Sequence, residues 1–286
     1  MAEQTWALVS TKASDGYGLH IARFCDGLRL GGECLSPEPH VAEIVILHGI
    51  QSHPGWYDRT GFELAAVGYG VSMPERRGSG HNTDDRGDTP SFRRLLDDIA
   101  ECMATLERPR FLVGISWGGK LAVGLQRRHP GLTDGLVLIA PGFCPRVRPP
   151  LSERLRIFAS RFFSPRRLFR IPLNDPELFT ANHDRRQYIL DDPLALHQAT
   201  ARFLFESARL DIYLGFAARQ VTMPVLLLLA GQDQIIDNAA TQSYVERFAT
   251  KDKTVIEYPD AHHTLEFEPG GPPFILDLLT WIGARV

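Results

Sequence analysis

Short apolar runs recur along this chain, and the central ones, such as Val225–Ala230, are apolar at nearly every position rather than at alternate ones. A strand buried on both faces reads this way, whereas a half-exposed strand alternates. Strands are expected at Gly18–Phe24, Arg29–Leu35, Ala42–Leu47, Gly70–Met73, Phe111–Ile115, Gly135–Ile139, Val225–Ala230 and Thr254–Tyr258. The first two lie close enough to form an antiparallel hairpin at a sheet edge. Helices fit the intervening Tyr57–Val67, Ser91–Leu106, Trp117–Arg128, Asn238–Phe248 and Pro272–Arg285. In the second of these, Leu95, Leu96, Ile99, Met103 and Leu106 keep a helical period. Pro272 suits a first helical turn, where a missing N–H costs nothing. Strands alternating with helices predict an α/β fold: a mostly parallel eight-stranded sheet with flanking helices.

The rhythm breaks between Pro141 and about Met223. A proline-rich opening, Pro145-Arg-Val-Arg-Pro-Pro150, leads into helical pieces at Leu155–Phe163, Pro193–Phe205 and Leu210–Ala218, with no convincing strand. Some eighty residues are too many for a structureless loop in a compact domain, so a helical cap is expected. The division is a core of residues 1–143 and 221–286 with a cap of 144–220.

Composition narrows the function. A chain of 286 residues, 44% hydrophobic, has material for a large core. Charged residues make up 23% and the net charge is −3, without the basic excess of a nucleic-acid binder. The four cysteines, Cys25, Cys34, Cys102 and Cys144, form no CxxC pair, so reduced thiols are expected rather than a disulfide framework or a zinc site. The first residues show no secretory pattern and no apolar run is long enough to span a membrane, which points to a soluble, cytoplasmic protein.

The candidate chemistry begins at Gly114-Ile-Ser116-Trp-Gly118. A G-x-S-x-G match arises by chance in roughly one chain in ten of this composition, so its context decides. Here a buried strand precedes the serine and a helix follows, as a nucleophile elbow requires. A serine hydroxyl needs a base, and the base an orienting acid. Asp233 follows the strand Val225–Ala230, and His262 and His263 follow the strand ending at Tyr258. The order Ser, Asp, His, each after a strand, is that of the α/β-hydrolases. Asp237 competes with Asp233 but is better placed to cap the next helix. Leu47-His48-Gly49-Ile50 ends another central strand, and the backbone N–H groups of Ile50 and Trp117 are candidates for an oxyanion hole. His48 is expected to brace that loop, and His53 and His81 to be loop residues.

The stretches LHGIQSHPGWYDRTGFELAAVGYGVSMPERRGSG, LVGISWGGKLA, LLLAGQDQIID and YPDAHHTLEFEP resemble the monoacylglycerol lipase and lysophospholipase-like branch of the α/β-hydrolases. The last resembles that family's G-A-x-H-x-L-x-x-E, which puts the matching histidine at His263 and leaves His262 a wall residue. Gln51 stands where a small residue often follows the oxyanion loop, and Glu75 where aspartate is usual. The cap matches loosely, through Asp192-Pro193-Leu194.

The expected activity is hydrolysis of a medium- or long-chain acyl ester, a monoacylglycerol, lysophospholipid or similar, through an acyl-enzyme on Ser116 with Asp233 and His263. It needs no metal or organic cofactor, and the partner is a small acyl ester rather than nucleic acid. Thioester hydrolysis or acyl transfer would use the same triad, and a non-catalytic receptor on this fold is a further alternative. Phe158, Phe162, Phe163, Phe203 and Phe205 of the cap cannot all face water, so some of them are expected to line an apolar site over Ser116. Between Cys144 and Arg170 the cap carries arginines at 146, 148, 154, 156, 161, 166, 167 and 170 among apolar residues. A solvated face is the expected reading, with contact to an anionic lipid surface the alternative. Lys120 pairs with a carboxylate such as Glu75 or reaches solvent. The oligomeric state stays open.

Overall fold

The structure is a computed structural model, and it describes residues 6–24, 29–30, 33–34, 40–270 and 273–286. In chain order the first elements are β1 (Trp6–Lys12), β2 (Gly18–Phe24), β3 (Arg29–Leu30), β4 (Glu33–Cys34), β5 (Glu43–Leu47), α1 (Asp58–Ala66), β6 (Gly70–Pro74), α2 (Phe92–Ala104), β7 (Arg110–Ile115), α3 (Trp117–Arg128) and β8 (Gly135–Ile139). The cap segment carries α4 (Leu151–Phe163), β9 (Leu168–Arg170), α5 (His183–Asp191), β10 (Gln198–Thr200) and α6 (Ala201–Leu214). The core resumes with β11 (Val225–Ala230), α7 (Asn238–Glu246), β12 (Lys253–Tyr258) and α8 (Phe274–Gly283).

The main sheet runs β1-β2-β6-β5-β7-β8-β11-β12, antiparallel at the β1, β2 and β6 end and parallel beyond. Strands β5, β7, β8 and β11 are buried along almost their whole length, which is why their sequences are continuous apolar runs. Helices α1 and α8 cover one face, α2 and α3 the other. From β5 the chain crosses to β6 on one side and returns to β7 on the other. The carboxyl ends of β5 and β7 therefore flank the crevice where open α/β sheets bind ligands. Leu47 pairs in register with Gly114, so the loop after β5 and the turn after β7 leave the sheet side by side.

Three expectations need correction. The edge partner of β2 is the preceding β1, from Trp6 opposite Phe24 to Lys12 opposite Gly18. Most of β1 is exposed, so no buried face imposed a readable alternation on it. The expected strand Arg29–Leu35 is only the short pair β3 and β4; Gly31, Gly32 and Leu35 lie outside the described residues. The cap is not purely helical: β9 and β10 form an antiparallel pair, and the two helices expected at Pro193–Phe205 and Leu210–Ala218 are one, α6, capped by Thr200 accepting from the Phe203 N–H. Pro272 also lies outside the described residues, and α8 starts after Pro273. Among the described residues no helix is long and apolar enough to cross a membrane, and no group of three potential metal ligands occurs.

A buried charge cluster ties the edge hairpin to the core. Arg77 after β6 donates to both oxygens of Asp98 on α2 (2.5 and 2.7 Å) and to Asp15 in the β1–β2 turn (2.8 Å), while Arg94 reaches Asp98 from one turn back (2.9 Å). The Arg77 guanidinium makes Asp15 more acidic than a free aspartate. Removing one member of a buried pair strands the other charge, which costs about 3–5 kcal/mol. Asp98→Ala is therefore expected to lower unfolding stability by about that amount, readable in a urea melt. Asp15→Ala, at the exposed end of the cluster, should cost under about 1 kcal/mol.

Candidate active site

The turn from β7 into α3 forces Ser116 to φ 51° and ψ −119°, a left-handed conformation that L residues rarely hold. It persists because the surrounding main chain over-determines it. The Ser116 N–H donates to Ile139 O (2.9 Å), and the Ser116 carbonyl accepts from the N–H groups of Gly119 (3.0 Å) and Gly142 (2.8 Å). The flanking glycines are required by proximity. A Cβ at Gly118 would stand 2.2 Å from Leu47 O, and one at Gly114 2.7 Å from the Cα of Gly119.

The side chains expected to work with Ser116 meet there. His263 Nε2 lies 2.8 Å from Ser116 Oγ, and His263 Nδ1 lies 2.7 Å from Asp233 Oδ2. The other Asp233 oxygen accepts from the N–H groups of Ile235 (2.8 Å) and Ile236 (3.0 Å), which fixes the carboxylate. An ionised carboxylate only accepts, so the imidazole carries its proton on Nδ1 and turns the Nε2 lone pair toward the serine hydroxyl. His263 and Asp233 are both buried. His262 points elsewhere, to Glu268 at 3.3 Å. Asp237 caps α7, accepting from the Ala240 N–H (2.9 Å).

The loop after β5 is held from behind. His48 donates from Nδ1 to Gly49 O (2.8 Å), and its Nε2 accepts from the Arg76 N–H (3.1 Å), an arrangement only the neutral ring can make. Burial, helped by the adjacent Arg76 charge, holds the His48 pKa well below the usual histidine value. His48 is thus a brace. The Trp117 N–H is the first of α3 and has no intrahelical acceptor, so it sits at the positive end of that helix.

Several residues acquire roles that their sequence context did not reveal. His53 and the Trp56 indole N–H both bond to Asp192 of the cap (2.9 and 2.6 Å), and the Leu196 N–H donates to Gln51 O (2.8 Å), so the loop at 51–56 is fastened to the cap. His81 donates to Glu75, which also accepts the His81 N–H (2.7 Å). Lys120 meets neither Glu75 nor bulk solvent; it donates to Asp211 on α6 (2.6 Å). Arg76 is buried, with its guanidinium on the carbonyls of Gly49 and Ile50; burial pushes its pKa down to about 9, still charged at neutral pH. No sequence signal singled it out from its neighbour Arg77. Of the cap phenylalanines, Phe158, Phe162 and Phe163 are exposed on α4 rather than turned over Ser116, whereas Phe203 is buried against Trp117. A cavity of about 310 Å³ lies away from Ser116, between the edge hairpin and α2, bounded by Leu19, Ile21, Leu95 and Ile99 and reaching Leu47 and His48.

This sheet, elbow and crevice define an α/β-hydrolase. Residues 38–270 match the hydrolase family described as serine aminopeptidase S33. The monoglyceride lipase of Rattus norvegicus is 26% identical over 259 residues, covering 86% of this chain and 83% of the rat protein. An uncharacterized abhydrolase domain-containing protein of Dictyostelium discoideum is 25% identical over 258 residues, 86% of this chain but only 27% of that longer protein. The crystal structure of Paleococcus ferrophilus monoacylglycerol lipase superposes with a TM-score of 0.81 at 24% identity, covering 94% of this chain and 99% of the other. The chain belongs to this hydrolase family and is an ester hydrolase of its monoacylglycerol-lipase-like branch.

Three residues beyond His263, Glu266 is buried and accepts from the Thr60 N–H (3.1 Å) and hydroxyl. Burial raises its carboxyl to about 7, against the opposing pull of the Thr60 hydrogen bonds. The folded protein therefore binds this proton more tightly than the unfolded chain does. Stability should fall as pH rises from the ordinary glutamate value to about 7, then level off. Glu266→Gln keeps an acceptor for Thr60 and removes the titration. Urea midpoints between pH 5 and 8 should fall less steeply in the variant, by about 2–3 kcal/mol over that window. Parallel slopes would show that Glu266 does not titrate there.

Proposed function

We propose that the chain hydrolyses a medium- or long-chain carboxylic ester, a monoacylglycerol, lysophospholipid or similar, through an acyl-enzyme on Ser116. The observation that carries this reading is the unbroken line of contacts from Ser116 Oγ to His263 Nε2 (2.8 Å) and from His263 Nδ1 to Asp233 (2.7 Å). His263 takes the hydroxyl proton as Ser116 attacks the ester carbonyl, and Asp233 stabilises the imidazolium. The N–H groups of Ile50 and Trp117 receive the oxyanion. His263 returns the proton to the departing alcohol, then draws one from the water that releases the acid. The rat relative's name, monoglyceride lipase, supports the glyceride class. Thioester hydrolysis and acyl transfer use the same groups, so rates on p-nitrophenyl esters, acyl-CoA and monoacylglycerol separate them.

Ser116→Ala should abolish fluorophosphonate labelling and nearly all turnover of an activated ester while the fold persists. His263→Ala should lower kcat by about 10⁴–10⁶-fold; His262→Ala should act mainly on KM and by less than about tenfold. A dead His262→Ala beside an active His263→Ala would move the base to His262.

The cap supports an interfacial substrate. On α4, Leu151, Leu155, Phe158 and Phe162 recur at helical spacing, and all are more than half exposed. Phe158 and Phe162 cluster with Phe205 of α6, and Arg161 lies over the Phe205 ring. Of the eight arginines between Arg146 and Arg170, Arg166 is the one that meets an acid among the described ion pairs, Asp85 at 3.0 Å and Asp88 at 4.0 Å. An exposed apolar stripe flanked by arginines fits the surface of an anionic bilayer better than a merely solvated face. Co-sedimentation with phosphatidylglycerol vesicles should exceed that with phosphatidylcholine vesicles. The Leu155→Ser, Phe162→Ser double variant should lose at least about tenfold in partitioning and keep its rate on a soluble ester. Equal partitioning of variant and wild type would remove α4 from any lipid contact.

A further inference from the structure

If an oxyanion forms at Ser116, the loop after β5 is only as good a donor as whatever orients it. In a trans peptide the C=O and N–H point opposite ways, so holding the Gly49 carbonyl on one side turns the Ile50 N–H to the other. Arg76 does this holding: Nη1 donates to Gly49 O (3.1 Å) and Nη2 to Ile50 O (2.7 Å). The His48 Nδ1–H adds a neutral donor to the same Gly49 oxygen (2.8 Å). A cation on a carbonyl oxygen polarises the whole amide and strengthens its N–H as a donor. The same guanidinium lies 5.0 Å from the Trp117 ring and 5.4 Å from the Phe203 ring. Both candidate oxyanion donors, Ile50 and Trp117, thus lean on one side chain.

Arg76 is 7% exposed and belongs to none of the described ion pairs. Burying a cation without a counter-ion is costly, and neutral His48 already braces the loop, so packing alone does not account for a charge at this position. An acid beside it would cancel its field. Without one, the charge acts undiluted on the peptides of the loop.

We propose that Arg76 is a positioning residue for the oxyanion hole, clamping and polarising the Gly49–Ile50 peptide so that its N–H faces the reacting carbonyl. The proposal rests on the Ser116 ester mechanism above. It predicts a loss confined to the transition state: the ground-state ester carries little charge on its carbonyl oxygen, whereas the tetrahedral adduct carries a full one.

The test uses the full chain, p-nitrophenyl octanoate as substrate, and an alkyl trifluoromethyl ketone that adds to serine to give a tetrahedral oxyanion. Arg76→Met should lose about 10²-fold in kcat, hold KM within about threefold, and weaken the ketone by a factor similar to the kcat loss. Arg76→Lys keeps the charge and a donor, and should recover about tenfold of that loss. A folded Arg76→Met with kcat within twofold of wild type, or with its loss in KM instead of kcat, overturns the proposal. If Arg76→Met fails to fold, Arg76→Lys decides. A tenfold fall in kcat and in ketone affinity at constant KM supports the proposal, and wild-type kinetics overturns it. Ser116→Ala, run alongside, separates the two levels: if it stays active, the ester mechanism itself has failed and the Arg76 proposal falls with it.

Discussion

Three pieces of main chain approach one another at Ser116 more closely than side chains would allow, and the geometry of the site follows from that approach. The end of β5 lies so near the start of α3 that position 118 has no room for a Cβ beside the Leu47 carbonyl. The strained serine backbone is held by hydrogen bonds to Ile139, Gly119 and Gly142, groups from β8, from α3 and from the loop beyond β8. Strain of this kind is stable only where neighbours over-determine it. The same approach would leave a Cβ on Gly49 only 3.5 Å from the Ser116 Cβ, so the loop after β5 and the turn after β7 are set by a single packing condition. The imidazole arrives separately, from the loop after β12, and is fixed by its contact with Asp233.

The cap is joined to this centre by contacts of different character, two of which stand out. On one side, Asp192 receives His53 and the Trp56 indole in a buried polar contact. On the other, α6 lies along α3: Ser207 accepts from the Trp117 indole (2.9 Å), Asp211 accepts from Lys120, and Phe203 packs on Trp117. Leu210 lies where a Cβ on Gly124 would stand 3.3 Å from it, so a small residue lets the two helices come close. Helix α4 lies outside this arrangement and, apart from Ile157, presents its large apolar residues to solvent.

Much of this was legible in the sequence because it depends on patterns that burial enforces. Strands β5, β7, β8 and β11 are covered on both faces, so their positions show as apolar runs, and Ser116 and Asp233 each follow such a run; His263 follows β12, which is only partly buried and was legible through its neighbouring motif instead. The misses have the opposite cause. Strand β1 is mostly exposed and carries no burial pattern, and α5, with the sequence His-Asp-Arg-Arg-Gln-Tyr-Ile-Leu-Asp, buries only Ile189. Helix α6 read as two pieces because Glu206, Ser207 and Arg209 interrupt its apolar residues, yet Glu206 is buried, accepting from the Phe92 N–H and from Arg209. Arg76 sits in a run of charges, Glu75-Arg76-Arg77, where sequence gives no means of telling a buried guanidinium from a solvated one. Only the tertiary structure separates Arg77, neutralised by Asp98, from Arg76, which faces carbonyls and rings.

The continuity of α6 divides the cap into parts that are unequally free to diverge. One face of that single helix touches the turn after β7 and helix α3 through Phe203, Ser207 and Asp211, so exchanging those residues would disturb the candidate site together with the roof above it. Helix α4 meets the rest largely through Ile157, Ser160 and its neighbours on α6, and its outer positions have no such obligation. Variation in what the enzyme accepts is thereby channelled outward. A lineage built on this scaffold has latitude to remodel α4 while α6 is constrained by its attachment to the elbow, which makes the cap a modular element on one side and an extension of the hydrolase core on the other.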